Sequence, residues 1–170
     1  MNTAAPPLPP LSRCVALGSA LGAAIRAAEF PGRVLVIASG GLSHWLPSND
    51  PRDPSVVGDR RSALIHGRQN TRAFAAAREP RVRAMAGDPT APVNAEWDRW
   101  FLSRVHHGDL TAVADLGSEK LEELAGTGGH EIRTWLAGHA AVSLPLAWDS
   151  YEPVPEWITG MAVATTFPVP

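Results

Sequence analysis

Apolar residues fall into two rhythms along this chain, one continuous and one helical. The continuous rhythm is the run from Arg33 to Leu46, RVLVIASGGLSHWL, in which Val34, Leu35, Val36 and Ile37 follow one another without a polar break. An unbroken, largely β-branched run predicts a strand covered on both faces, and so a parallel or mixed sheet. Helical spacing governs the flanks. Leu11, Cys14, Val15, Gly18, Leu21, Gly22 and Ile25 predict a helix that packs on the sheet and is closed by Pro31 and Gly32. Ser62 to Ala86 predicts a helical stretch interrupted near Pro80. Asn94 is placed to cap a helix running to His106, with Trp97, Trp100, Phe101 and Val105 as its apolar, core-facing stripe. Ser118, Leu121 and Leu124 mark a short helix, which Gly126 to Gly129 break before another begins near His130. The fold class is therefore α/β, a mixed or parallel central sheet flanked by helices. Residues 1–170 form a single domain, with 1–10 as a proline-rich lead-in.

Composition narrows the function classes. A chain of 170 residues that is 45% hydrophobic suffices for one core. A net charge of -2 gives no basic footprint for nucleic acid. Lys120 is the sole lysine, so the basic residues are almost all arginine, a bidentate partner for carboxylates. Arg68, Arg72, Arg78, Arg81 and Arg83 read as an exposed face, with a clamp on a substrate carboxylate as the alternative. Cys14 is alone, which excludes a disulfide framework and points to a reducing compartment. No signal peptide or membrane-spanning run is visible, so the expectation is a soluble, cytoplasmic protein.

Two segments carry candidate chemistry. Gly40 and Gly41 let the backbone turn sharply just beyond the predicted strand, where ligands bind in open α/β sheets. His44 follows in that crevice, with an intrinsic pKa of about 6.5 suited to general acid or base work; the alternative is a loop histidine bonded only to its neighbours. Leu46 to Asp59 is a loop long enough to border a site, and the proline-bearing Asp88 to Val93 separates two helical regions. The second segment is Ala125 to Trp135, AGTGGHEIRTW. A glycine-rich turn entering a helix can cradle an anion on free N–H groups, but the Walker and dinucleotide patterns are incomplete. His130-Glu131 is not a zinc-protease motif, because Thr134 stands where the second histidine belongs. His130 and Glu131 point about 100° apart on a helix, so this segment offers one carboxylate ligand. Glu131 is either that ligand or a surface acid stabilised by the helix dipole. His66, His106, His107, His130 and His139 are read as structural or surface residues.

Taken together, GGLSH at 40–44, NAEWDRWFL at 94–102, GTGGHEIRTW at 126–135 and PEWITG at 155–160 resemble class III extradiol ring-cleavage dioxygenases, in particular those acting on 2,3-dihydroxyphenylpropionate and 2,3-dihydroxycinnamate. The likeness covers nearly the whole chain and corresponds to the carboxyl-terminal half of such enzymes. It implies Fe(2+) as cofactor, a catechol and O2 as substrates, and ring opening beside the diol. His44 would be the proton-accepting base and Glu131 the carboxylate iron ligand, while both iron-binding histidines and the proton donor belong to the family's amino-terminal half. Trp45 would stack on the aromatic substrate or pack the loop. Two hypotheses follow. The chain is a ring-cleavage dioxygenase or its catalytic half, completed by a partner; or it is a truncated, non-catalytic remnant. A binding domain without chemistry is a third. Apolar faces left uncovered imply a homo-oligomer or self-association.

Overall fold

A computed structural model describes residues 1, 3, 6–46, 48, 50–69, 71–86 and 93–167, and all but seven of their side chains, those at 68, 73, 74, 77, 78, 81 and 148. The described elements are seven α-helices and one two-stranded sheet. The predicted spacer 88–93 lies mostly outside the described residues, as do the side chains of Arg68, Arg78 and Arg81. Arg72 is exposed, and Arg83 is exposed and paired with Glu79 at 2.7 Å, a solvated helix face.

Helix α1, Leu11–Ala27, buries Leu11, Cys14, Gly18 and Gly22 on one side. That side lies on α7, Ile132–Val142, rather than on a sheet. Glycines spaced four apart form a flat stripe, so the two backbones approach closely. A Cβ on Gly18 would stand 2.2 Å from the Ala137 carbonyl oxygen, and one on Gly22 would stand 2.1 Å from that of Ala141. Helix α2, Gly58–His66, and α3, Thr71–Met85, are separated by a short 3-10 turn at Gly67–Gln69. The break therefore falls at Gly67, whose backbone entropy opposes helix, and α3 continues through Pro80.

The core gathers around α4, Ala95–His106, which Asn94 caps by accepting the Trp97 N–H at 3.1 Å. Trp97 stacks on Phe101 with ring centroids 5.6 Å apart, and Phe101 meets the edge of Trp135 at 6.1 Å. Leu42, Leu121, Ile132 and Leu136 complete this core, with α5, Leu110–Ala114, and α6, Gly117–Ala125, closing one side. Strands β1, Trp148–Val154, and β2, Thr159–Thr165, form an antiparallel hairpin whose register pairs Tyr151 with Ala162 and Pro153 with Gly160.

The expected central sheet differs from what is observed. Among the described residues the hairpin is the only sheet, and Val34–Ile37 has no strand beside it. Residues 33–41 nevertheless run beside α7. Val36, Ala38 and Gly40 are half-buried while Leu35, Ile37 and Ser39 are exposed, the period-2 alternation of extended backbone resting on one surface. The Ser39 carbonyl accepts from Thr134 Oγ1 at 2.6 Å and the Gly40 carbonyl accepts from Trp135 Nε1 at 3.0 Å. The outer side is bare: Leu35 is 67% and Ile37 79% exposed. No helix among the described residues is long and apolar enough to cross a membrane.

Candidate active site

His44 is buried at the point where all four chemical motifs of the sequence converge. The glycines before it bring the chain off α7, and the next three residues use every backbone group they have. Leu42 N–H donates to the Gly160 carbonyl at 3.2 Å, and Gly160 N–H returns a bond to the Ser43 carbonyl at 3.1 Å. Ser43 N–H donates to Asp98 Oδ1 at 2.8 Å. His44 N–H donates to the Ala125 carbonyl at 2.8 Å, and its own carbonyl accepts the Gly128 N–H at 2.9 Å. The remaining group, the Leu42 carbonyl, bonds the imidazole itself at Nδ1, 2.8 Å away. A carbonyl only accepts, so Nδ1 carries the hydrogen and Nε2 is the open acceptor of the neutral ring.

Glycines set how closely the ring is packed. A Cβ on Gly128 would stand 2.1 Å from both Cδ2 and Nε2 of His44. Gly126, at φ +73, sits under Trp45, where a Cβ would lie 2.6 Å from the indole. Trp45 is thus half-buried as a packing residue over this turn, beside its expected role toward substrate. Thr127 Oγ1 joins the same seam by accepting the Leu46 N–H at 2.9 Å and donating to the Leu46 carbonyl at 2.7 Å. The turn is therefore no anion cradle. Gly126, Gly128 and Gly129 donate their N–H groups to the carbonyls of Glu122, His44 and Gly126, so the expected free donors are spent.

Glu131 lies at the N-terminal end of α7, half-buried, and its Oε2 accepts the Gly41 N–H at 2.6 Å. Gly41 also faces the imidazole, since a Cβ there would stand 2.9 Å from His44 Cε1. The carboxylate and the base, far apart in sequence, thus flank one glycine. The described residues contain no group of three or more His, Cys, Asp or Glu able to hold a metal ion. On their own they do not fit a ferrous site, which needs two imidazoles with the carboxylate.

Sequence reasoning missed Asp98, the buried acid of the NAEWDRWFL motif. It is fully enclosed, and its Oδ2 accepts from both Ser43 Oγ and Tyr151 Oη at 2.8 Å. Burial pushes its carboxyl above the usual range, against the hydrogen bonds from Ser43 and Tyr151 that favour the charged form. Burial likewise pushes the Tyr151 phenol well above its ordinary value, with the bond to Asp98 acting in the same direction. The available signal was positional: Asp98 adjoins Trp97 and precedes Phe101 by three on a helix whose apolar face is buried. His130 is buried and bonded on both ring nitrogens. Arg133 Nη1 donates to its Nδ1 at 2.8 Å, and its Nε2 donates to Glu122 Oε2 at 3.0 Å. Arg133, wholly buried, also donates to the Pro9 carbonyl and to Ser118 Oγ, fastening the start of α7 to the lead-in and to α6.

Comparison with known proteins supplies the family. Residues 1–162 match the family described as the catalytic LigB subunit of aromatic ring-opening dioxygenase. Proteins named 2,3-dihydroxyphenylpropionate/2,3-dihydroxicinnamic acid 1,2-dioxygenase are similar over almost all of the chain. The one from Rhodococcus jostii is 37% identical, covering 99% of this chain and 56% of the relative. The one from Cupriavidus pinatubonensis is 38% identical over 95% of this chain and 54% of the relative, and that from Burkholderia vietnamiensis is 40% identical over 94% and 52%. The chain spans little more than half the length of these relatives. With the family model matching nearly end to end and the motifs meeting around one histidine, the chain belongs to the LigB family of aromatic ring-opening dioxygenases.

Proposed function

We propose that this chain is the base-bearing portion of an extradiol dioxygenase that opens a catechol such as 2,3-dihydroxyphenylpropionate, with O2 as co-substrate and Fe(2+) as cofactor, in aromatic catabolism. The observation that carries the proposal is the seating of His44. Its backbone is bonded on both sides, its Nδ1 is tied to Leu42, and its Nε2 is left to accept a proton. Removing a proton from a catechol hydroxyl makes the ring electron-rich and ready to react with oxygen, and a neutral imidazole is suited to that step near pH 7. Glu131 is the carboxylate ligand in this reading, and Trp45 a weaker candidate for stacking on the aromatic ring. Two imidazoles must then come from outside these residues, on a segment of a longer product or on a separate chain that would also lie beside Val34–Ile37 and complete a central sheet. The exposed outer side of that segment supports this arrangement.

The test is ring cleavage, read as oxygen uptake and absorbance of the ring-opened product with Fe(II) and 2,3-dihydroxyphenylpropionate. It is run on the chain alone and on the chain combined with the part of the Rhodococcus jostii relative that lies outside the match. Turnover in the combination, lost in His44→Ala, is the expected result. No turnover in either sample favours a non-catalytic remnant, and turnover that survives His44→Ala removes that residue's role as base.

A further inference from the structure

We propose that Asp98 is the positioning residue for His44, its buried carboxylate holding Ser43 by both N–H and Oγ–H and thereby fixing the peptide that aims the imidazole at the Leu42 carbonyl. This rests on the reading of His44 as the base. Of the three hydrogen bonds Asp98 accepts, two come from the residue immediately before His44 and one from Tyr151, all at 2.8 Å. Ser43 Oγ in turn accepts the Asn94 N–H at 2.8 Å, and Asn94 Nδ2 donates to the Leu124 carbonyl at 2.9 Å. The adjoining Ala125 carbonyl is the one that holds His44 N–H. A single polar chain therefore runs from Asp98 through Ser43 and Asn94 to the opposite side of the base.

The surroundings make Asp98 a costly choice for stability alone. It lies among Trp97, Phe101 and Leu102, and a carboxylate removed from water is penalised unless its oxygens are well bonded. Gly160 admits it, since a Cβ there would stand 2.0 Å from Oδ2. Asp98 makes no hydrogen bond to the imidazole, although its carboxylate and the His44 ring interact electrostatically through space. It acts through Ser43, whose two donors occupy one oxygen each.

Three variants of the full chain separate positioning from simple packing. Asp98→Asn replaces one of the two accepting oxygens with an amide NH2, Tyr151→Phe removes one bond to Oδ2, and Ser43→Ala removes another together with the acceptor of the Asn94 N–H. The readout is the ¹⁵N shift pair of the His44 imidazole at a pH where it is neutral, which distinguishes the Nδ1–H from the Nε2–H form. The wild-type chain is expected to show the Nδ1–H form. Asp98→Asn and Ser43→Ala should convert a measurable fraction to Nε2–H, while Tyr151→Phe, which leaves both Ser43 bonds in place, should not. If Asp98→Asn does not fold, the contrast between Ser43→Ala and Tyr151→Phe decides alone. An unchanged imidazole in Ser43→Ala, or an equal change in Tyr151→Phe, overturns the proposal. In the ring-cleaving combination, Ser43→Ala should lower kcat roughly tenfold with KM little changed, a part of what a general base contributes. If the wild-type combination does not turn over, the dioxygenase reading fails while the imidazole spectrum still decides the role of Asp98.

Discussion

Gly128→Ala offers the most direct check on how the base is seated. Gly128 lies in a short 3-10 turn, where alanine is conformationally acceptable, so the cost of the change comes from what its methyl meets. That methyl would stand 2.1 Å from Cδ2 and Nε2 of His44, and ordinary contact begins near 3.4 Å, so the ring must retreat by about 1.3 Å. A retreat of that size breaks the 2.8 Å bond from Nδ1 to Leu42, leaving a buried carbonyl without its partner. The unpaired carbonyl costs about 1–3 kcal/mol. Overpacking costs about 1–3 kcal/mol more, and the lower entropy of the unfolded alanine chain returns about 0.4–1 kcal/mol. A net loss of roughly 2–4 kcal/mol is expected by urea unfolding followed through tryptophan fluorescence. Nearly all of it belongs to one pair of residues, so the cycle with His44→Ala is decisive. In the H44A background the ring that supplies the methyl's three nearest contacts is gone and Gly128→Ala should cost little, so the coupling should approach the whole loss of about 2–4 kcal/mol. Equal costs in the two backgrounds would refute the placement of the ring against this turn.

Two further outcomes follow from buried and exposed groups away from the base. His139 has a buried Nε2 without a hydrogen-bond partner, and burial pushes its pKa below the ordinary value, as it does for His130. The unfolded chain then binds more protons below about pH 6.5, so these groups make stability fall as pH drops through that value. Asp98, raised by burial, acts in the opposite sense. His139→Leu should therefore raise the urea midpoint at pH 5.5 more than at pH 7.5, and an equal effect at the two pH values would remove His139 from the account. Separately, Leu35 and Ile37 lie exposed beside an apolar groove of about 380 Å³ bordered by Trp135, Val163 and Phe167. The isolated chain should self-associate in sizing experiments and become more monodisperse in a Leu35→Lys/Ile37→Lys variant, whereas a monodisperse wild-type monomer would contradict the idea that this face seeks cover.

How much of this was legible in the chain depended on whether the signal was local. The Asn94 cap and the stripe of Trp97, Trp100, Phe101 and Val105 are local, set by spacing on one helix; the cap and three of the four residues are as read, with Trp100 half-buried against the same core. The partner of α1 is not local. Gly18 and Gly22 mark a surface made for close approach, but only the matching backbone at Ala137 and Ala141 shows that a helix meets it. The run Val34–Ile37 shows the same limit from the other side. Its composition calls for cover on both faces, while α7 covers one, and an apolar run records that it needs neighbours without recording where they lie.

The site divides in the same way, and the division explains why the motifs looked stronger together than singly. His44 could be singled out because a histidine after two glycines is unusual chemistry in a short span. Asp98, Asn94 and Gly160 carry no such mark, because each acts on a residue more than fifty positions away: Asp98 and Asn94 on Ser43, and Gly160 by leaving room for Asp98. The anion-cradle expectation failed for the same reason. Glycine-rich N–H groups invite an anion only while unspent, and here the carbonyl of His44 takes one of them. The glycine turn and the histidine loop thus form a single device, in which the Gly128 N–H holds the carbonyl of the base and the other two glycines close the turn on itself and on α6. If that is the purpose of the turn, lesions in it should cost stability through the imidazole, and that share is the coupling the Gly128 and His44 cycle measures.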